Sequence, residues 1–113
     1  MIYVKILIVV VMLSVGQILF KSTGVALQKP DASITDPAVF VPFLTAGLVY
    51  VFASFLWVNA LIDIPLAVAY PITALSFILV PSASIYIFRE DLNMANVAGL
   101  GLIIIGIALS QYR

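Results

Sequence analysis

The sequence contains no cysteine and no histidine, and only 9% of its 113 residues are charged. Without these two residue types the chain has no disulfide, no thiol nucleophile, no histidine-based metal site and no Ser-His-Asp triad. Five basic and five acidic residues give a net charge of zero, which argues against the basic surface that nucleic acid requires. We therefore expect no catalytic residue, metal site, cofactor or nucleic-acid partner.

Apolar side chains are abundant instead, at 65% of all residues, and the mean hydropathy is +1.28. Soluble domains are about half apolar and about one quarter charged, so this composition indicates an integral membrane protein. A helix needs about 20 residues to cross a hydrocarbon layer about 30 Å thick. Four apolar runs of about this length predict membrane spans at 2–23, 39–61, 65–88 and 95–111. We expect an all-α membrane protein in which residues 1–113 form one four-helix transmembrane domain.

Positive charges near the span ends hardly favour one orientation. The side that holds both termini carries Lys5 and Arg113, whereas the other side carries Lys21, Lys29 and Arg89. Either the chain inserts in both orientations, or a partner and the lipid determine which orientation it takes. Because four helices leave little room to enclose a pathway, we expect a dimer of identical chains or a dimer with a related four-helix subunit.

Polar residues share one face of the first span, in the segment SVGQILFK. Ser14, Gln17 and Lys21 follow one another at spacings of three and four residues, which places them on one side of a helix. A hydrogen-bonding stripe that ends in a cation suits an anionic ligand near the membrane surface, such as a phosphate or diphosphate. The alternative is that Lys21 reaches to the interface while Gln17 bonds a neighbouring helix.

The second span has an aromatic and polar face made of Tyr50, Ser54 and Trp57, again at spacings of four and three residues. Such a face could stack on a sugar or hold an isoprenoid chain. Trp57 lies near a helix end, however, and is equally placed to anchor the helix at the membrane interface.

The third span contains two prolines, Pro71 and Pro81. Each removes a backbone donor, so the helix is expected to bend or break. One interpretation is a gate that presents Tyr70 and Thr73 to a cavity. The other is purely structural, in which serine and threonine hydroxyls satisfy the freed carbonyl groups.

The fourth span carries Gly99 and Gly106, two helical turns apart and therefore on one face. Small residues on one face let membrane helices approach closely, which predicts a dimerisation surface, although glycine is also simply common in membrane helices. Before this span, the link REDLNM offers Asp91 or Asn93 as the N-cap.

These segments resemble the small multidrug resistance transporters of the EamA-like drug/metabolite superfamily. The pattern GLGLIIIGI is similar to their dimerisation helix, and ASFLWVNALIDIPLAVAYPI is similar to their second and third helices around the short turn. The drug exporters carry a glutamate in the middle of the first helix, where this sequence has Leu13. All four predicted spans lack Asp and Glu, and a proton-coupled cation exporter needs a membrane-embedded acid.

Two motifs resemble another branch of that superfamily more closely, the small flippase subunits for aminoarabinose linked to undecaprenyl phosphate. SVGQILFK is similar to their first helix, and Pro65, Ala69, Tyr70 and Pro71 match their Pro-x-x-x-Ala-Tyr-Pro motif. The resemblance implies a multi-pass flippase, or flippase subunit, in the bacterial inner membrane. Its substrate would be a polyprenyl-phosphate-linked sugar used in cell-envelope glycan or lipid A modification.

The predicted substrate site consists of Ser14, Gln17, Lys21, Trp57, Tyr70 and Thr73. The first three are expected to hold the phosphate while the lipid tail stays in the bilayer. The main alternative is a multidrug-type exporter of cationic compounds or metabolites, which predicts proton release on ligand binding. A non-transporting partner of a glycosyltransferase would keep its function without the polar stripe. A membrane enzyme lacks an acid–base pair or metal cluster in the spans.

Overall fold

The computed structural model describes residues 2–112, which form five helices and no strand. The helices are α1 (Ile2–Ala26), α2 (Pro37–Leu61), α3 (Leu66–Thr73), α4 (Ser76–Ile87) and α5 (Met94–Ser110). α1, α2 and the segment Leu66–Ile87 are long and apolar enough to cross a membrane, and α5 is a shorter apolar helix of 17 residues. The predicted all-α membrane fold is confirmed, and every predicted span end lies within three residues of a helix end.

The third span is divided at Ala74 and Leu75, between its two prolines. In an α-helix the Ala74 N–H would bond the carbonyl of Tyr70, but here it bonds the Pro71 carbonyl at 3.0 Å. The Thr73 hydroxyl donates to the Tyr70 carbonyl instead of the Ala74 N–H, so this carbonyl still has a hydrogen-bond donor. α4 continues through Pro81, whose carbonyl accepts the Ser84 hydroxyl at 2.8 Å. The division therefore lies just after the first proline, and the helix is uninterrupted at the second.

α2 packs against α1 through a repeat of small residues. Val39, Ala46, Ala53 and Ala60 recur every seven residues, and all four are buried. Seven residues make about two helical turns, so these positions form a single seam that lets the two backbones approach closely. On α1, the side chains of Ile6, Val9 and Val10 are 0–2% exposed.

A cluster of buried apolar residues lies at the end of the molecule that holds the α2–α3 link. It joins α1, the end of α2 and α3 through Ile6, Val10, Ala60, Ile64, Val68, Ala69 and Ile72. Trp57, Leu61 and Leu75 pack against it. This end of the bundle is consequently closed by packed side chains, while polar residues collect further along α1.

α5 packs least of the five helices, since none of its residues is buried. Asn93 is its N-cap: its side chain accepts the Asn96 N–H at 2.8 Å, and the Asn96 side chain accepts the Asn93 N–H at 3.1 Å. Of the two predicted caps, Asn93 is therefore the one used. At the other end the Gln111 amide donates to the Val68 carbonyl at 3.0 Å and ties α5 to α3.

Candidate functional site

A cleft of about 470 Å³ opens between α1, α2 and the α3–α4 break. Its lining residues are Val9, Leu13 and Gln17 from α1, Tyr50, Ala53, Ser54 and Trp57 from α2, and Tyr70, Pro71, Thr73, Ala74, Ser76 and Phe77 around the break. This volume lies within the range of about 300–1,000 Å³ that is usual for small-molecule sites. The helix break itself thus forms one wall of the cleft.

Four predicted substrate residues line this cleft: Gln17, Trp57, Tyr70 and Thr73. They come from three helices, so the tertiary fold brings together residues that lie up to 56 positions apart in the chain. Pro71, predicted as a gate residue, lies beside them. Trp57 also packs on the apolar cluster, which holds its ring at the junction of core and cleft.

Gln17 and Tyr50 form the polar centre of the cleft. The Gln17 Nε2 donates to the Tyr50 hydroxyl oxygen at 2.6 Å. The Tyr50 ring also stacks on Phe20, with ring centroids 5.4 Å apart and an interplanar angle of 18°. Gly16 leaves the space that the ring occupies, because a Cβ built there would lie 2.6 Å from Tyr50 Cε2. Three α1 residues therefore fix the position of one α2 side chain.

Two cleft hydroxyls already use their protons on their own helices. Ser54 donates to the Tyr50 carbonyl at 2.8 Å, and Thr73 donates to the Tyr70 carbonyl. Each oxygen keeps its lone pairs, and Gln17 keeps its side-chain carbonyl. The polar part of the cleft hence presents acceptors on these oxygens together with donors such as the Tyr50 hydroxyl and the second Gln17 N–H, a mixture that suits a ligand rich in hydroxyl or amino groups.

Ser14 lies outside the cleft, although the sequence places it on the face of Gln17. Its side chain is buried, and its hydroxyl donates to the Val10 carbonyl at 2.8 Å. Its hydrogen bond is satisfied within α1.

Lys21 lies one helical turn beyond Gln17 and also outside the cleft lining. Its ammonium forms an ion pair with Glu90 at 3.3 Å, the one ion pair within residues 2–112. Glu90 lies in the link between α4 and α5, outside the membrane spans. The pKa of Glu90 lies below its ordinary value of 4.5, because the Ser84 hydroxyl, when it turns from the Pro81 carbonyl, and the Lys21 ammonium both stabilise the ionised carboxylate.

The cleft lining contains no acidic residue. Leu13 contributes an apolar wall at the position where the drug exporters that the sequence resembles carry a glutamate. The cleft therefore has no carboxylate with which to attract an organic cation.

Residues 2–112 match the model of the EamA-like transporter family. The chain belongs to this family. A protein of Proteus mirabilis named "Probable 4-amino-4-deoxy-L-arabinose-phosphoundecaprenol flippase subunit ArnE" is 28% identical over 100% of this chain and 99% of its own length. A protein of the same name in Pectobacterium atrosepticum is 31% identical, with 96% of each chain covered.

A second subunit name also occurs among the relatives of this EamA-like chain. The Pseudomonas fluorescens protein named "Probable 4-amino-4-deoxy-L-arabinose-phosphoundecaprenol flippase subunit ArnF" is 31% identical over 92% of this chain and 82% of its own length. These relatives confirm the predicted resemblance to the flippase-subunit branch of the family. No solved structure matches the chain.

Gly16 and Glu90 are two residues around the site of this EamA-like protein that sequence reasoning missed, and Tyr50 was placed on an aromatic face but not in the predicted substrate site. Glycine in a membrane helix is common, so Gly16 carried no signal until an aromatic partner was placed against it. Glu90 sits in a polar link, where a carboxylate is ordinary. The alanines of α2 that recur every seven residues, Ala46, Ala53 and Ala60, could have been recognised in the sequence. A seven-residue repeat of small residues indicates a packed helix face.

Proposed function

We propose that this EamA-like protein is a subunit of a flippase that moves a polyprenyl-phosphate-linked sugar across the bacterial inner membrane. The flippase-subunit names of relatives aligned over nearly the whole chain support this function. The observation that carries it structurally is a polar cleft without carboxylates, with Lys21 one helical turn beyond its Gln17 wall. A sugar phosphate has the complementary groups, hydroxyl donors next to an anion.

The sugar is assigned to the cleft. Its hydroxyl or amino groups donate to the oxygens of Gln17, Ser54 and Thr73, while the Tyr50 hydroxyl has a proton to donate in return. The rings of Trp57 and Tyr70 line the same space and offer flat apolar faces for stacking.

The phosphate is assigned to Lys21 at the edge of the cleft. Gln17 and Lys21 are four residues apart on one side of α1, a rise of about 6 Å, so one ligand can contact both side chains. Lysine acts there as a compact point charge with three donors. An anion so placed avoids the large free-energy cost of entering hydrocarbon unpaired.

The isoprenoid tail is bonded to the phosphate, so it is assigned to the lipid beside Lys21, at the end of the molecule that holds the α1–α2 link. An apolar groove of about 520 Å³ shares Trp57, Tyr70 and Pro71 with the cleft and is completed by Leu66 and Ala67. This groove lies toward the α2–α3 link and therefore adjoins the sugar rather than the tail.

A second chain is expected to complete the pathway. α5 has no buried residue, and Gly99 and Gly106 have no neighbour within 4 Å of an added Cβ. This uncovered face supports dimerisation through α5, either with an identical chain or with a related four-helix subunit. The relatives' two subunit names support the second arrangement.

Binding to the purified protein in nanodiscs tests the assignment. Undecaprenyl phosphate, a glycosylated form and the cation tetraphenylphosphonium are compared on the wild type, Lys21→Ala and Gln17→Leu. Lys29→Ala is the matched control, because it removes the same charge from the α1–α2 link. Since a hydrogen bond to a charged group contributes about 1.5–3 kcal/mol, Lys21→Ala should weaken phosphate-lipid binding by about tenfold or more.

Gln17→Leu should weaken binding of the glycosylated lipid more than binding of undecaprenyl phosphate, because the amide is assigned to the sugar. Equal binding of the phosphate lipids by Lys21→Ala and Lys29→Ala would contradict the phosphate assignment. Selective binding of tetraphenylphosphonium with proton release would instead indicate a multidrug-type exporter.

A further inference from the structure

The lysine assigned to the phosphate already holds an anion that belongs to the chain itself. The Lys21 Nζ and the Glu90 Oε2 are 3.3 Å apart, and the two side chains are 46% and 43% exposed. A carboxylate oxygen and a phosphate oxygen make the same kind of charge-assisted hydrogen bond to an ammonium group. The carboxylate of Glu90 thus occupies the position that the head group requires.

The backbone around Glu90 is ordered by specific hydrogen bonds. The N–H groups of Phe88 and Glu90 both donate to the Ser84 carbonyl, at 3.0 and 3.3 Å. Arg89 between them has φ of 55°, in the left-handed region that residues with a Cβ rarely adopt. A turn that holds a non-glycine residue in this conformation presents the next side chain, Glu90, at a defined place.

We infer that Glu90 is an internal competitor for the phosphate at Lys21: its carboxylate pairs with the ammonium in the empty protein and is displaced when a lipid phosphate binds. The inference rests on the proposed function, since it concerns the same lysine. Two anions beside one ammonium repel each other, so the bound phosphate and the carboxylate exclude one another. Binding of the head group consequently releases the α4–α5 link from α1.

The competitor also gives the site selectivity and an exit step. Any anion must first displace the carboxylate, so a weakly bound anion is rejected and a phosphate that makes further contacts in the cleft is accepted. When the phosphate leaves, the carboxylate returns to the ammonium and the empty state is restored without an unpaired charge.

Two variants of adjacent acidic residues separate this role from a general charge effect. Glu90→Gln removes the carboxylate that pairs with Lys21, and Asp91→Asn removes the same charge from the next residue, which makes no ion pair. The probe is undecaprenyl phosphate in nanodiscs of phosphatidylcholine at fixed ionic strength. Glu90→Ala repeats the test with a different side chain, and thermal unfolding establishes that each variant is folded.

Glu90→Gln and Glu90→Ala should bind undecaprenyl phosphate about two- to fivefold more tightly than the wild type, as expected for removal of an exposed ion pair. Asp91→Asn should bind as the wild type does. In a Lys21→Met background the effect of Glu90→Gln should vanish, because the competitor then has no lysine to occupy.

The results separate the two proposals. If the wild type binds the phosphate lipid through Lys21 but Glu90→Gln binds no more tightly than Asp91→Asn, the competitor role is wrong and the proposed function stands. If no variant binds the phosphate lipid, the proposed function fails and the competitor role fails with it. Equal tightening in the presence and absence of Lys21 also overturns the inference.

Discussion

Replacement of Gly16 by alanine tests the geometry at the centre of the cleft. The new Cβ would lie 2.6 Å from Tyr50 Cε2, 3.1 Å from Cδ2 and 3.2 Å from Cζ. Carbon atoms pack at about 3.5–4.0 Å, so the ring has to move by about 1 Å. That movement disturbs both the 2.6 Å bond from Gln17 and the stack with Phe20.

The expected cost follows from these contacts. Overpacking costs about 1–3 kcal/mol, and here it falls at the lower end because a side-chain ring, rather than backbone, has to yield. Loss of the Gln17 hydrogen bond adds about 1 kcal/mol. Gly24→Ala is the matched control, since it makes the same change on α1 where an added Cβ has no neighbour within 4 Å. We expect Gly16→Ala to be about 1–3 kcal/mol less stable than Gly24→Ala.

Reversible unfolding in mixed detergent micelles, followed by Trp57 fluorescence, measures this difference. Nanodisc binding of the glycosylated lipid should fall in parallel, because Tyr50 and Gln17 are displaced. The decisive comparison is a double-mutant cycle with Tyr50→Ala: without the ring, the added methyl group has space and its cost should disappear. Equal costs in the two backgrounds would refute the assigned contact between Gly16 and Tyr50.

Three further predictions follow from single contacts. Carbon-13 NMR titration of the Glu90 carboxyl should show a midpoint below 4.5 that rises in Lys21→Met. Because the pKa is lowered in the folded protein, the ion pair is intact above pH 4.5 and is lost as the pH falls through the pKa of the folded state. An unchanged midpoint in Lys21→Met would count against the ion pair. Thr73→Val should destabilise the protein by about 1 kcal/mol, measured by detergent unfolding, because the Tyr70 carbonyl loses its hydroxyl donor, and Thr73→Ser should not. Asn93→Ala should cost about 1 kcal/mol through loss of the capping box, and Asn93→Ser should restore most of it; equal stability of the two variants would rule out the cap.

Much of the fold was readable from the sequence because long apolar runs leave few alternatives. In a membrane every backbone group has to be satisfied within its own segment or a closed barrel, so runs of about 20 apolar residues become helices. The two prolines predicted a discontinuity in the third span, and the polar link before α5 predicted a cap at Asp91 or Asn93, of which the structure uses Asn93. The positions of the two prolines did not give the position of the break, because the helix divides at Ala74 and Leu75 and continues through Pro81.

The candidate site was only partly readable, because spacing gives the position of a residue around its own helix and not the partner that it meets. Gln17 and Tyr50 lie in different spans, and each spacing argument was confined to one span. Their hydrogen bond depends on the close approach of α1 and α2, which the small residues Gly16 and Ala53 permit. Ser14 shares a predicted face with Gln17, yet the helix contact buries it.

The sequence by itself determined a helical membrane protein with a neutral interior and a lysine at the end of its first span, because composition and run length constrain those features directly. Only the tertiary structure decided which residues converge: a polar cleft at the α3–α4 break, and the ion pair of Glu90 with Lys21. The reason is that these contacts depend on helix packing and on the turn at Arg89. That residue has a left-handed backbone conformation although it is not a glycine, so the sequence does not mark the turn. Local periodicity carries no information about either.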